Sequence, residues 1–256
     1  MADQLTPISV QLYSLREEST RDFTAVLLRL GTIGYVGVEL AGLHGLSPAQ
    51  FNTVIDEAGL VVSSGHLGDV SPDALNQTLD DLQAVGTNTA VLAFLPPDRF
   101  ADTDAVKRSA ELINGANEIA RARGVTFGYH NHFWEFQASF DGRTAWSVLF
   151  DHLDPTVFAE LDVYWARLGG ADPVQVMGEL GERLGLVHVK DGPADEPLNP
   201  MVAVGSGTMD VPGVLAAAGE AAWHIVELDR CATDMFDAVE ASYRYLTTNG
   251  LSRGRV

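Results

Sequence analysis

The chain has 256 residues, is 46% hydrophobic, and sets 35 acidic against 16 basic side chains for a formal charge of −19. This length suits one large core, and the negative balance without a basic patch excludes general nucleic-acid binding. No apolar run approaches the ~20 residues of a membrane span, and the single cysteine, Cys231, excludes an intrachain disulfide. The opening stretch MADQLTPISVQLYS has neither the basic nor the apolar region of a secretory signal, so a cytoplasmic location is expected.

Along the chain, short β-branched or apolar runs alternate with amphipathic stretches, the pattern of parallel strands covered by helices. Strands are predicted over residues 8–14, 37–41, 61–66, 89–95, 125–132, 157–164, 186–190 and 223–229. Helices are predicted to begin near Thr20, Ser47, Ser71, Thr103, Thr144, Asp172, Asp210 and Thr233, most of them opened by a side chain that accepts from free N–H groups. Glycines in LRLGTIG, IDEAG, LQAVG, ARARG and GERLG are read as left-handed helix ends. Eight such units predict a closed (β/α)8 TIM barrel in a single domain, rather than an open doubly wound sheet.

In such a barrel the chemistry sits at the C-terminal ends of the strands. That position selects Gln11, Tyr13, Ser14, Glu39, His66, His130, Asn131, His132, Asp162, His188, Lys190, Asp191, Glu227 and Asp229. Charged groups in apolar strands need a partner, and the segments ELDVYW, VHVKDG and HIVELD would bring carboxylates and an imidazole to one rim. A divalent cation answers that density, with Asp162, His188 and Glu227 as ligands and either Glu135 or His130 as the fourth. Oxygen donors with imidazole and no thiolate suit Mn2+, the preferred ion, as well as Mg2+, Co2+ or Zn2+. Taken singly, Asp162 and His188 would equally serve as hydrogen-bonding residues of the barrel interior.

Gln11, Glu39, His66, His132, Trp134, Trp165 and Asp191 are expected around the substrate, the tryptophans packing on a sugar ring. His132 would alternatively orient a carboxylate, and Lys190 would steady an oxyanion or pair with Asp191 or Glu227. The segment VGSGTMD lacks the third glycine of a dinucleotide fingerprint, so Gly205 and Gly207 are read as a close backbone approach near the mouth. His44, His152 and His224 receive no role.

Taken together, VQLYSLREE, YHNHFWEF, LDVYWARLGGADP, VHVKDG, VGSGTMD and VELD resemble the sugar phosphate isomerase/epimerase family of xylose-isomerase-like barrels over nearly the whole chain. The resemblance implies a metal held by two glutamates, an aspartate and a histidine, of which Asp162, His188 and Glu227 match by motif. Where ketose 3-epimerases carry a glutamate at the end of strand five, this chain has His130, with Glu135 a few residues on, which counts against a simple ketose epimerase.

The resemblance also implies a small carbohydrate substrate, homo-oligomers, and reactions shared with inosose dehydratases and hydroxypyruvate isomerases. Proton abstraction beside a carbonyl through an enediolate is expected, with Glu227, His130 or Glu135 moving the proton and Lys190 steadying the charge. Dehydratase or 3-keto-glycoside deglycosidase lyase chemistry on the same site, and a non-catalytic sugar-binding barrel, are the alternatives. No phosphate cradle is evident, which predicts an unphosphorylated substrate.

Overall fold

The eight predicted runs form eight parallel strands, each labelled here by its own range: β1 Ile8–Gln11, β2 Gly37–Leu40, β3 Val61–Leu67, β4 Thr89–Leu92, β5 Thr126–His130, β6 Phe158–Asp162, β7 Leu184–Val189 and β8 Trp223–Val226. The computed structural model describes residues 5–255; residues 1–4 of the stretch read for a leader lie outside it. The strands follow one another round a closed barrel, and β1 completes the ring by pairing with both β2 and β8.

Several strands end earlier than the sequence suggests. Residues 12–15 form a 3-10 turn and residues 163–168 a short helix, so the chain bends away from the sheet where the polar side chains gather. Polar strand ends read as strand from alternation alone, but their backbone turns outward to clear the mouth. Among the described residues, no helix is long and apolar enough to cross a membrane.

Helix starts follow their caps. Ser47 and Gln50 form a capping box, and the side chains of Asp102, Thr144, Asp172, Asp210 and Asp234 each accept from a backbone N–H in the first turn. The first helix, Arg16–Ile33, begins before Thr20 because it continues directly from the 3-10 turn. It breaks at Asp22, whose φ of −158° leaves the helical range and whose side chain caps the amide of Ala25 at 2.9 Å. GERLG does not end a helix at its second glycine: Gly185 lies inside β7, where a Cβ would strike the ring of Phe158.

The barrel is filled in layers, because alternate residues of a strand face the same side. At the floor, Val91, Leu186 and Ile225 form an inner apolar cluster with Phe158 and Trp223 packed against it. Two residues further along β7 comes His188, and two further Lys190, so one strand climbs from hydrocarbon to imidazole to ammonium. Outside the barrel, Phe23, Val26, Leu27 and Leu30 bury the inner face of the first helix. Each such side chain contributes about 1.5–3 kcal/mol of burial.

One contact in that shell is especially close. Gly31 lies against the end of the helix Pro48–Ala58, where a Cβ would run into the carbonyl oxygen of Ala58, and Arg255 binds both carbonyls, at 2.6 Å from Gly31 and 2.5 Å from Ala58. Gly31→Ala should destabilise the protein by about 1–3 kcal/mol through overpacking. Urea unfolding measures this, and a loss below about 0.5 kcal/mol would contradict the packing described.

Candidate metal centre

Strand register decides which polar groups meet. Asp162 on β6 lies opposite His188 on β7, and His188 opposite Ile225 on β8, so the chain just past each strand end delivers its side chains to one level of the mouth. There His130, Asp162, His188 and Glu227 are all buried, and one donor atom from each lies within 4.8 Å of every other. His188 Nδ1 is 2.8 Å from Glu227 Oε2, and His130 Nε2 is 3.9 Å from Asp162 Oδ2.

Below this group lies a second layer, in which His66, His130, Glu160 and His188 converge equally closely. Glu160 Oε2 is 2.6 Å from His66 Nε2, 3.0 Å from His130 Nδ1 and 3.2 Å from His188 Nε2. Glu39 Oε2 lies 2.7 Å from His188 Nε2 and accepts from Gln11 Nε2 at 2.8 Å, while Ser64 Oγ donates to Glu39 Oε1 at 2.7 Å. These are hydrogen-bond separations, with a shared proton between ring nitrogen and carboxylate. The lower carboxylates thus engage Nδ1 of His130 and Nε2 of His188, leaving His130 Nε2 and His188 Nδ1 facing the upper group. That is how carboxylates orient metal-ligating imidazoles.

The electrostatics follow from burial against charge. Burial opposes the charged form of His188, but Glu160, Glu39 and Glu227 outweigh it and hold the ring well above its ordinary value. Burial likewise opposes ionised Glu227, and Lys190 and His188 outweigh it, holding the carboxyl well below its usual range. Asp162 is pushed up to about 6 by burial, against the pull of Lys190 and His188. Burial lowers His130 to about 3, although its hydrogen bond to Glu160 works the other way.

The donors fit a divalent cation on two further observations. Asp162 Oδ2 and Glu160 Oε1 are buried and accept no hydrogen bond, although Lys190 Nζ stands 2.8 Å from Asp162 Oδ2 outside a bonding direction. Asp162, Glu227 and Asp229 also place three carboxylates around the single ammonium of Lys190. Two carboxylates and two imidazoles suit Mn2+, Co2+ or Zn2+, and less fully Mg2+.

Glu135 belongs to neither group. The one-turn helix Trp134–Gln137 carries it away from the convergence, where it accepts from Tyr129 Oη at 2.6 Å and from the backbone N–H of His132 at 3.1 Å; burial pushes it up to about 8. Asp191 is also occupied, accepting from the amides of Gly192, Gly205, Gly207 and Met209 at 2.8–3.1 Å and so tying down the loop after β7. A Cβ on Gly207 would collide with that carboxylate, which accounts for the glycine. Asn131 binds both the N–H and the carbonyl of Asp162, and Ser14 accepts from the amide of Leu228.

A cavity of about 440 Å³ opens above the centre, lined by Tyr13, His66, Phe94, His130, His132, Glu227 and Asp229 among others, with no lysine or arginine in its wall. His132 stacks on Trp134 with ring centroids 4.4 Å apart, and Trp134 Nε1 donates to the carbonyl of Leu95. Trp165 lies behind, 5.2 Å from Lys190 Nζ. Arg16 is spent on the carbonyls of Tyr13 and Asp229, two residues of the cavity wall. His224 bonds Ser252 and His152 bonds the carbonyl of Val148, both outside the cavity wall.

Glu160 and Phe94 were not among the residues selected from sequence. Glu160 carried a usable signal, because it precedes Asp162 by two in ELD and therefore faces the same side of β6. Phe94 follows an ordinary strand, and nothing in its surroundings distinguishes it.

Known proteins resemble this chain in sequence and in fold. The chain is 25% identical over 221 residues to an inosose dehydratase from Geobacillus kaustophilus (strain HTA426), covering 73% of this chain and 70% of that protein. It is 28% identical over 174 residues to a 2-epi-5-epi-valiolone 7-phosphate 2-epimerase from Actinoplanes sp. (strain ATCC 31044 / CBS 674.73 / SE50/110), covering 62% of this chain and 60% of that one. The crystal structure of a sugar phosphate isomerase/epimerase from Parabacteroides distasonis ATCC 8503 superposes with a TM-score of 0.79 at 28% identity, over 96% of this chain and 95% of the other. The xylose isomerase-like TIM barrel model matches residues 29–234, from the first helix to beyond Glu227, and the chain belongs to that family.

Proposed function

We propose that this protein is a divalent-metal-dependent isomerase or epimerase that moves a proton on the carbon beside the carbonyl of an unphosphorylated keto-sugar or polyol. The observation that carries the reading is the convergence of His130, Asp162, His188 and Glu227 beneath a cavity lined by no lysine or arginine. These four side chains would hold the ion, Mn2+ by preference, with His130 rather than Glu135 as the fourth ligand. Bound there, a divalent ion polarises the substrate carbonyl and lowers the cost of losing the neighbouring proton.

Glu227 lines the cavity and stays ionised beside Lys190 and His188, so it is placed to take that proton. A carboxylate so stabilised is a weak base, and the acidity must therefore come from the substrate's polarised carbonyl. Across the mouth, three strands away in the ring, His132 follows β5; burial, with His130 and Lys190 adding to it, keeps its ring neutral. Its Nδ1 is buried without a partner, and we assign His132 to the face of the substrate opposite Glu227. Phe94 supplies apolar wall for a sugar ring, with Trp134 packed edge-on against it. The similarity to an inosose dehydratase favours a second reading, in which the same proton loss is followed by departure of a β-hydroxyl.

Protein freed of metal and titrated with Mn2+ should bind one ion per chain, and Asp162→Asn or His188→Ala should weaken binding by about a hundredfold or more. With ketoses, inososes and 3-keto glycosides in D2O, deuterium should appear at the carbon next to the carbonyl for one class. Absence of exchange in all of them, with Mn2+ bound, would refute proton transfer.

Glu135 acts, on this reading, by positioning His132 through the backbone. The unfolded chain releases its proton near the ordinary 4.5 and the folded protein near 8, so its contribution to stability is full below the first value and falls as pH rises toward the second. Glu135→Gln should remove that decline. The stability of the native protein relative to the variant, measured by urea unfolding, should drop between about pH 5 and pH 8; a difference that stays flat across this range would contradict the assignment.

A further inference from the structure

Lys190 stands where the cation would compete with it. Its Nζ is 2.8 Å from Asp162 Oδ2 and 2.7 Å from Glu227 Oε2, and its side chain is only 1% exposed. Both carboxylates belong to the group of four donor residues described above. The same ammonium is 2.7 Å from a third carboxylate, Asp229 Oδ2, which is 20% exposed, lines the cavity, and is not part of that group.

Two cations cannot share the same pair of carboxylate oxygens at close range without strong repulsion, since nothing in a buried site screens them. A lysine present only to neutralise Asp162 and Glu227 would need no third acid. Asp229 offers the ammonium a charged acceptor already within bonding distance and outside the group of four donors. No rearrangement of the backbone is required for the lysine to keep one ionic partner while giving up two.

We infer that Lys190 is a built-in competitor for the metal, filling its electrostatic place in the metal-free protein, and that Asp229 is the positioning residue that receives the ammonium when the metal enters. The inference rests on the metal reading above. It explains how so many buried carboxylates remain tolerable without a metal, because removing one partner from a buried charge cluster is costly unless another cation replaces it. It also makes metal affinity a property of Lys190 and Asp229, neither of which is a ligand.

The test is Mn2+ affinity, read from the free-ion signal in electron paramagnetic resonance, together with melting temperature with and without Mn2+. Relative to the native protein, Lys190→Met should bind Mn2+ about tenfold more tightly or better, and Asp229→Asn about threefold or more weakly. In the Lys190→Met background, Asp229→Asn should change affinity by less than about twofold, because the carboxylate then has no ammonium to receive. Lys190→Met should melt lower than the native protein without metal and gain more from Mn2+.

Equal or weaker binding by Lys190→Met, or an undiminished Asp229→Asn effect in its background, overturns the inference while leaving the metal site intact. Should Lys190→Met fail to fold even with Mn2+, native affinity in Asp229→Asn overturns it alone. Native protein that binds no Mn2+, indistinguishable from His188→Ala, defeats the metal reading and this inference with it.

Discussion

His188 is held at both ring nitrogens by buried carboxylates, with Glu227 at Nδ1 and Glu39 and Glu160 at Nε2. The polar architecture of the barrel follows from that arrangement. An imidazole between carboxylates in a water-poor interior has a fixed orientation and a defined proton position, because every alternative leaves an acid uncompensated. The lower acids are fixed in turn by Gln11, Ser64 and His66, and the upper ones by Lys190, His130 and the amide of Trp165. The barrel wall supplies the rigidity, and the apolar floor of Val91, Leu186 and Ile225 supplies the dry side.

The two layers divide the labour. The lower one, Glu39, His66 and Glu160, shares protons and sets which nitrogen of each upper imidazole faces the upper group; the upper one presents mixed oxygen and nitrogen donors. Two cationic side chains near the mouth are already engaged, Lys190 by three acids and Arg16 by two carbonyls. On the proposed reading, a substrate bearing phosphate or carboxylate would meet Glu227 and Asp229 in the wall, whereas a neutral polyol would meet hydrogen-bonding groups and the ring of Phe94.

Much of this was legible in the chain. Eight apolar runs separated by capped helices require a closed barrel, and strand-end position selects Asp162, His188 and Glu227 because charge in an apolar strand needs a reason. Two features escaped that logic. Glu160 lies one layer deeper than the strand end, so a filter on final positions passes over it even though alternation places it beside Asp162. The sequence leaves the fourth ligand open between His130 and Glu135, because nothing in it foretells the one-turn helix that turns the Glu135 carboxyl onto Tyr129. Strand lengths were overread for a related reason, since the alternation of polar and apolar residues continues past the point where the backbone leaves the sheet.

The central claim is that four side chains from strands five to eight share one cation. Anomalous diffraction from a crystal grown with Mn2+ tests it most directly. The account predicts a single strong peak within coordination distance of His130, Asp162, His188 and Glu227, with Glu135 still bonded to Tyr129. A peak lying instead in the lower layer between His66 and Glu160, or a metal contact from Glu135, would contradict it.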